Sequence, residues 1–367
     1  MQRRQAWVGI KTVVRERRPA RAQWTVAEAQ AWYASQPWLV GCNFIPSTAV
    51  NQLEMWQADT FDLEAIDREL GWASQIGFNT ARVFLHDLLW KQDPDGLTQR
   101  VDLLLATASR HGICPMLVLL DGVWDPSPRI GRQRAPRAHV HNSGWVQSPG
   151  VEILSDPARH DELEGYVKGV IGHFREDARV LAWDLFNEPD NPNPIYAAQE
   201  LPNKAEVALM LLRRAYEWAR EAGPTQPITA GVWRGHWGDI GEVSEIDRLM
   251  LTESDVISFH SYDPADRLRV SIDELRQYSR PMLLTEYFSR PTGSTFEATL
   301  PMLKERKVGA YNWGFVAGKT QTIYPWDSWA RTYTSEPEVW FHDVLRPNGT
   351  PYRQEEVDLI RRLSGVS

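Results

Sequence analysis

Two glutamates stand where short apolar runs end: Glu188 in LAWDLFNEPD (181–190) and Glu286 in PMLLTEY (281–287). A carboxyl in such a place either closes its strand with a hydrogen bond or points into a cleft. A pair of them has a chemistry of its own. One carboxyl, kept protonated, helps an oxygen to depart, and the other, ionised, attacks or stabilises the carbon left behind. Other groups of the same use lie at comparable places along the chain: Asn43, Arg82, Asp121, His141, Asn187, Trp233, His260, Tyr262 and Trp313. They can act together only if the fold brings the ends of their strands to one place.

The apolar pattern supplies such a fold. The runs at 38–44, 78–85, 113–120, 180–186, 227–233, 255–262, 281–287 and 308–316 read as strands. ICPMLVLL (113–120) is apolar without alternation, as expected of a strand buried on both faces of a parallel sheet. Between the runs lie helical patterns at 63–77, 101–112, 162–174, 204–223, 242–252, 271–279 and 295–306, and a last near 336–345. In the first of these Leu63, Ile66, Leu70, Ala73 and Ile76 recur at helical spacing, and Gly77 is placed to end the helix. Alternating strands and helices on this scale predict a single-domain (β/α)8 TIM barrel over 23–367, preceded by a basic arm at 1–22. A doubly wound sheet is the competing layout, but GCNFIPSTAV after the first strand is no phosphate-binding glycine loop.

Composition narrows the classes further. The net charge of −8 argues against nucleic acid and anionic membrane as partners, which reward a basic face. No run of apolar residues is long enough to span a bilayer. The basic start lacks the apolar stretch of an export signal, so a cytoplasmic location is expected. Cys42 and Cys114, the two cysteines, sit in apolar runs and read as buried free thiols. His139 and His141 form an HVH pair with no third ligand at recognisable spacing, so neither metal nor other cofactor is expected. Arg129, Arg132, Arg134 and Arg137 read as a solvated face of the long 121–161 connection.

In a barrel the functional groups gather at the C-terminal ends of the strands. Those ends carry Asn43, Arg82 to His86, Asp121, Asn187 with Glu188, Trp233 with Arg234, His260 with Tyr262, Glu286 with Tyr287, and Trp313. Two glutamates on strands four and seven then face each other across the mouth, an arrangement suited to cleavage of a glycosidic bond. WDLFNEP, LLTEY and DVISFHSY together resemble the clan A glycoside hydrolases, most closely family 5, over roughly residues 38–345. The resemblance implies a retaining β-glycosidase acting on a carbohydrate. It makes Glu188 the general acid/base and Glu286 the nucleophile, with Asn187 on the sugar 2-hydroxyl and Arg82 beside the nucleophile. His260 and Tyr262 match the strand-six pair, Tyr262 donating to Glu286, and Trp313 matches the floor under the sugar. Family 5 includes cellulases, mannanases, xylanases and exo-acting glycosidases.

The sequence departs from the family after strand three, where members often carry a histidine and this chain reads LLDGVWD. Asp121 is one candidate for that place; His139 or His141, reaching in from the long connection, is another. That connection and TIYPWDSW after strand eight are expected to wall off one end of the cleft, which favours exo action on short oligosaccharides over an open endo-acting groove. Trp90, Trp124, Trp145, Trp233, Trp237, Trp326 and Trp329 are the loop tryptophans available as walls. Two other classes compete: a non-catalytic sugar-binding barrel, and a metal-assisted lyase, which would need lysine or carboxylate ligands at several strand ends.

Overall fold

In the computed structural model, which describes residues 20–366, eight parallel strands form one sheet. They are β1 (Val40–Asn43), β2 (Thr80–Phe84), β3 (Cys114–Asp121), β4 (Ala182–Asn187), β5 (Ile228–Thr229), β6 (Ile257–His260), β7 (Met282–Tyr287) and β8 (Gly309–Asn312). Hydrogen-bonded order runs β5-β4-β3-β2-β1-β8-β7-β6, so the two ends of the sheet are consecutive strands. A parallel bridge between Val232 and Phe259 joins them, with Val232 N donating to Ser258 O at 3.1 Å and His260 N to Val232 O at 2.9 Å. The sheet thus closes into the expected barrel. Strand five is the weak point: the run at 227–233 pairs regularly only at Ile228–Thr229.

The helices explain themselves locally. Asp62 caps the helix Leu63–Gln75 by accepting from Ala65 N, and Ala65, Ile66, Leu70 and Ala73 form its buried stripe. Gly77 then takes φ 98°, a left-handed conformation that a side chain resists. The second expected helix starts earlier, at Pro94, because Asp93 caps it and Pro94 suits its first turn.

Two expectations are corrected. No helix forms at 336–345. Its apolar residues Trp340, Phe341, Val344 and Leu345 are buried, but the backbone serves as an acceptor for a buried ion pair. Arg290 pairs with Glu356 at 2.6 Å and donates to the carbonyls of Trp340 at 3.1 Å and Asp343 at 3.0 Å. The closing helix is instead Gln354–Ser364, whose short apolar stripe (Val357, Ile360) is hidden among charged residues.

The expected basic arm at 1–22 falls almost entirely outside the described residues. At its end, Arg21 pairs with Asp255, and Gln23 donates to Thr252 O and Ser254 O, beside the start of β6. The following helix, Val26–Ala34, brings Trp32 and Tyr33 against Leu39, Leu181, Val256 and Tyr311. The N-terminal end of the barrel is closed by these rings, leaving the other end for the site. Cys42 and Cys114 are unpaired thiols. Among the described residues no helix is long and apolar enough to cross a membrane.

Candidate active site

Arg82 is the hub of the barrel mouth. It is fully buried on β2, and all five of its N–H groups are used. Nε and Nη2 donate to Asp184 Oδ2 at 3.0 and 2.8 Å. Nη1 donates to Asn43 Oδ1 and Glu286 Oε1, both at 3.0 Å, and Nη2 also to Asn187 Oδ1 at 2.7 Å. One planar guanidinium therefore ties β1, β2, β4 and β7 together. Asn43 in turn donates to Thr285 O at 2.8 Å, so its amide spends both ends on the scaffold.

The two glutamates sit in unlike surroundings. Glu286 accepts from Arg82 at 3.0 Å and from the Tyr262 hydroxyl at 2.9 Å. Glu188 has no cation in direct contact: Oε1 meets His260 Nδ1 at 2.7 Å, and Oε2 accepts from Asn191 Nδ2 at 2.6 Å. Burial raises both carboxyls, Glu188 to about 7. Burial also pushes His260 down to about 4, so it is neutral near pH 7, and Arg82 is the cation that favours an ionised Glu286. A proton shared by the pair therefore settles on Glu188. Oxygens of the two carboxyls and a His260 nitrogen lie within 4.8 Å of one another. That trio offers three metal-ligand atoms, but Arg82 stands 3.0 Å from Glu286 and a cation is already in place.

The carboxylates open into a cavity of about 560 Å³ at the C-terminal end of the barrel. Asn187, Glu188, Trp233, Tyr262, Glu286 and Trp313 line it from the strand ends, and His141 from the long connection. Trp313 is held edge-on by Phe84 at 5.8 Å and Trp145 at 5.6 Å. Trp233 donates Nε1 to Asp190 at 2.7 Å. A second space of about 350 Å³ adjoins it across Glu188, Trp233, Tyr262 and Trp326.

One wall is built from two segments far apart in sequence. Trp124 and Trp329 stack with centroids 5.6 Å apart and planes at 14°. His141 N donates to Ser328 Oγ at 2.9 Å and its Nδ1 meets Tyr324 O at 2.8 Å. Asn142 N donates to Thr320 O at 2.8 Å, and His139 N to Gln321 Oε1 at 2.7 Å. These bonds zip the connection after β3 to the segment after β8. His141 thus reaches the cavity, whereas His139 faces Tyr333 O behind the wall. Of the four arginines of that connection, Arg134 pairs with Asp125 and Arg137 lies over Trp329 at 5.0 Å.

Asp121 does not stand in the cavity. It is buried and accepts from Asn187 Nδ2 at 2.9 Å, Trp145 Nε1 at 2.6 Å, Gln52 Nε2 at 3.0 Å and Val123 N at 3.1 Å. With four donors on two oxygens it has no capacity for a hydroxyl; it holds Asn187 and Trp145 instead. Among the tryptophans, Trp124, Trp145, Trp233, Trp326 and Trp329 line the cavity. Trp90 packs on Tyr166 and Trp237 on Phe259, in the shell of the barrel.

Sequence reasoning passed over Asp184, Asn191 and Gly122. Asp184 was open to notice as a charge inside an otherwise apolar strand, which a buried partner must neutralise. Gly122 allows the Glu188 turn, whose φ is 41°. A Cβ at Gly122 would stand 2.3 Å from Glu188 O and 3.0 Å from Pro189 Cα, both backbone atoms that cannot swing aside. Gly122→Ala is expected to cost about 1–3 kcal/mol in chemical denaturation. Unchanged stability would show that the turn has slack.

The parallel barrel opens onto an aromatic-walled cavity, with two carboxyls of unlike environment at its mouth. Its fold is that of family 5 glycoside hydrolases. The exo-β-1,4-mannosidase of Opitutaceae bacterium strain TAV5 superposes with a TM-score of 0.58 at 19% identity, over 89% of this chain and 60% of that one. A GH5 xyloglucan-specific endo-β-1,4-glucanase from a metagenomic library gives 0.57 at 13%, over 92% and 99%. The endo-1,4-β-D-mannanase of Thermotoga petrophila RKU-1 gives 0.55 at 17%, over 90% and 99%. In sequence, a probable mannan endo-1,4-β-mannosidase A of Aspergillus flavus is 28% identical over 95 residues. That match spans 26% of this chain and 22% of the relative. No protein-family model matches the chain.

Proposed function

We propose that this chain is a retaining β-glycosidase of family 5 that removes sugars from the end of short β-linked oligosaccharides, gluco-, manno- or galacto-configured. The observation that carries the reading is the pair itself: oxygens of Glu188 and Glu286 within 4.8 Å, one carboxyl held protonated by burial and the other facing a guanidinium. Retaining enzymes set their carboxyls about 5–5.5 Å apart, whereas inverting ones leave about 6.5–9.5 Å for a water.

Glu286 attacks the anomeric carbon as the bond to the leaving oxygen breaks, and Glu188 protonates that oxygen. Water then attacks the same carbon, gives its proton to Glu188, and the bond to Glu286 breaks. Tyr262 and Arg82 hold Glu286 in line. Asn187, fixed between Arg82 and Asp121, presents its amide to the sugar, and Trp313 offers a flat face beneath the ring.

Exo action is supported by the zipped wall of Trp124, His141 and Trp329, which lines the cavity, while the adjoining space beyond Glu188 has room for the leaving part. β-Mannosides come first in the panel to be tried, since similar proteins include an exo-β-1,4-mannosidase and mannanases.

Incubation with 2-deoxy-2-fluoro β-glycosyl fluorides, followed by mass spectrometry, tests the mechanism. A label on Glu286 that is absent in Glu286→Ala is the expected result; no label from any sugar on folded protein would overturn it. Product analysis on a hexaose should show one monosaccharide from the earliest time points. A ladder of intermediate lengths would instead identify an endo-acting enzyme.

A further inference from the structure

The hydrogen bonds that hold Glu188 continue past it in an unbroken line to the wall of the cavity. Asn191 Nδ2 donates to Glu188 Oε2 at 2.6 Å, and Asn191 N closes the turn by donating to Glu188 O at 3.0 Å. Asn191 Oδ1 accepts from Asn193 N at 2.9 Å. Asn193 Oδ1 accepts from the backbone N–H of Trp124 at 2.7 Å, and its Nδ2 donates to Gly122 O at 2.9 Å and Glu200 Oε1 at 2.7 Å. Lys204, nearly buried, completes the block by reaching Gly122 O at 2.7 Å and Glu200 at 3.0 Å.

Three members of this line, Glu188, Asn193 and Trp124, are non-glycine residues with φ of 41°, 41° and 70°. Left-handed backbone at ordinary residues persists only where surroundings over-determine it, and it concentrates at sites where geometry matters. No such density of polar bonds is needed to close a strand end.

We propose that Asn191 is a positioning residue that fixes the Glu188 carboxyl and couples it to the Trp124 wall. This rests on the reading of Glu188 as the acid/base. With Oε1 on His260 and Oε2 on Asn191, the carboxyl has no freedom to rotate. The amide N–H can only donate, so it stabilises the ionised form of Glu188 and opposes the burial that raises it. Without Asn191 the carboxyl is free to turn, and its affinity for a proton rises.

The test follows Glu188 directly, by ¹³C-carboxyl NMR titration of the full chain, with the resonance assigned by its loss in Glu188→Gln. In Asn191→Ala the Glu188 titration should move to higher pH. In Asn191→Asp, which is isosteric and keeps the acceptor for Asn193 N, it should move further, because a second negative charge replaces the donor. Kinetics give the second readout. For Asn191→Ala, kcat/KM should fall roughly tenfold or more on a glycoside with a poor leaving group and stay within about twofold on the 2,4-dinitrophenyl glycoside, which needs little acid help. A Glu188 titration unmoved in both variants, or an equal loss on both substrates, would overturn the inference. Should the titration move as expected while wild-type protein cleaves no glycoside, the proposed function fails and the positioning stands.

Discussion

Arg82→Met is expected to lower the melting temperature by on the order of 10 °C, and to abolish hydrolysis even below the new transition. Removing the guanidinium leaves Asp184, which is fully buried, and Glu286 without their cation. It also strips a donor from Asn43 and another from Asn187. Removing one member of a buried ion pair costs about 3–5 kcal/mol, far more than the net value of the intact pair, because the remaining charge is stranded. Arg82→Lys should behave nearly as badly. An ammonium is a point charge with three donors and cannot meet four acceptors spread over three strands in a plane. Differential scanning calorimetry with kinetics on the same samples checks both claims. Adding Asp184→Asn to Arg82→Met should recover part of the stability but none of the activity, since Glu286 still lacks its partner. If Arg82→Met melts with the wild type, the hub is not what holds the mouth together.

How much of this was legible in the sequence follows from how far each signal reaches along the chain. The eight strands were readable because each is a short apolar run flanked by helical periodicity, and burial on both faces leaves that mark locally. The closing helix Gln354–Ser364 was not readable, because its buried apolar residues are only Val357 and Ile360 among charges, while the more apolar 336–345 run is irregular. What decides between them is the Arg290–Glu356 pair, 66 residues apart, which no window contains. The site shows the same division. Strand ends fall at one mouth by topology, so the places of Glu188, Glu286, Asn187, Tyr262, Trp313 and Trp233 along the chain already bring them together. Whether a side chain at a strand end faces the cavity or the scaffold is a matter of who else donates to it. Asp121 is occupied by Gln52, Trp145 and Asn187, and Asn43 by Arg82 and Thr285. Asp184 shows in the sequence only as a charge in an apolar strand and does not name Arg82 on β2 as its partner, and Asn191 acts through a turn with Glu188 and Asn193 whose bonds leave no periodic mark.

Glu188→Ala should separate the two halves of the proposed reaction. On a substrate with a poor leaving group, loss of the general acid is expected to reduce kcat/KM by about 10²–10⁴. On the 2,4-dinitrophenyl glycoside, whose oxygen departs without a proton, kcat/KM should change little, and release of the sugar from Glu286 should become slow for want of a base. Azide, a nucleophile that needs no base, should then speed turnover and give the β-glycosyl azide, the configuration required when two displacements occur in sequence. The pH profile supplies the second half of the argument. Burial holds Glu188 protonated up to about 7, so kcat/KM of the wild type should be full below that pH and fall above it, tenfold per unit once the acid is mostly ionised. The fall on the acidic side belongs to Glu286, whose anion Arg82 and Tyr262 stabilise against burial, and it must lie below the Glu188 limb for both forms to coexist. In Glu188→Ala the basic limb should vanish while the acidic one remains. Persistence of the limb near pH 7 in that variant would mean that another group supplies the proton, and the assignment of Glu188 as the acid would be lost.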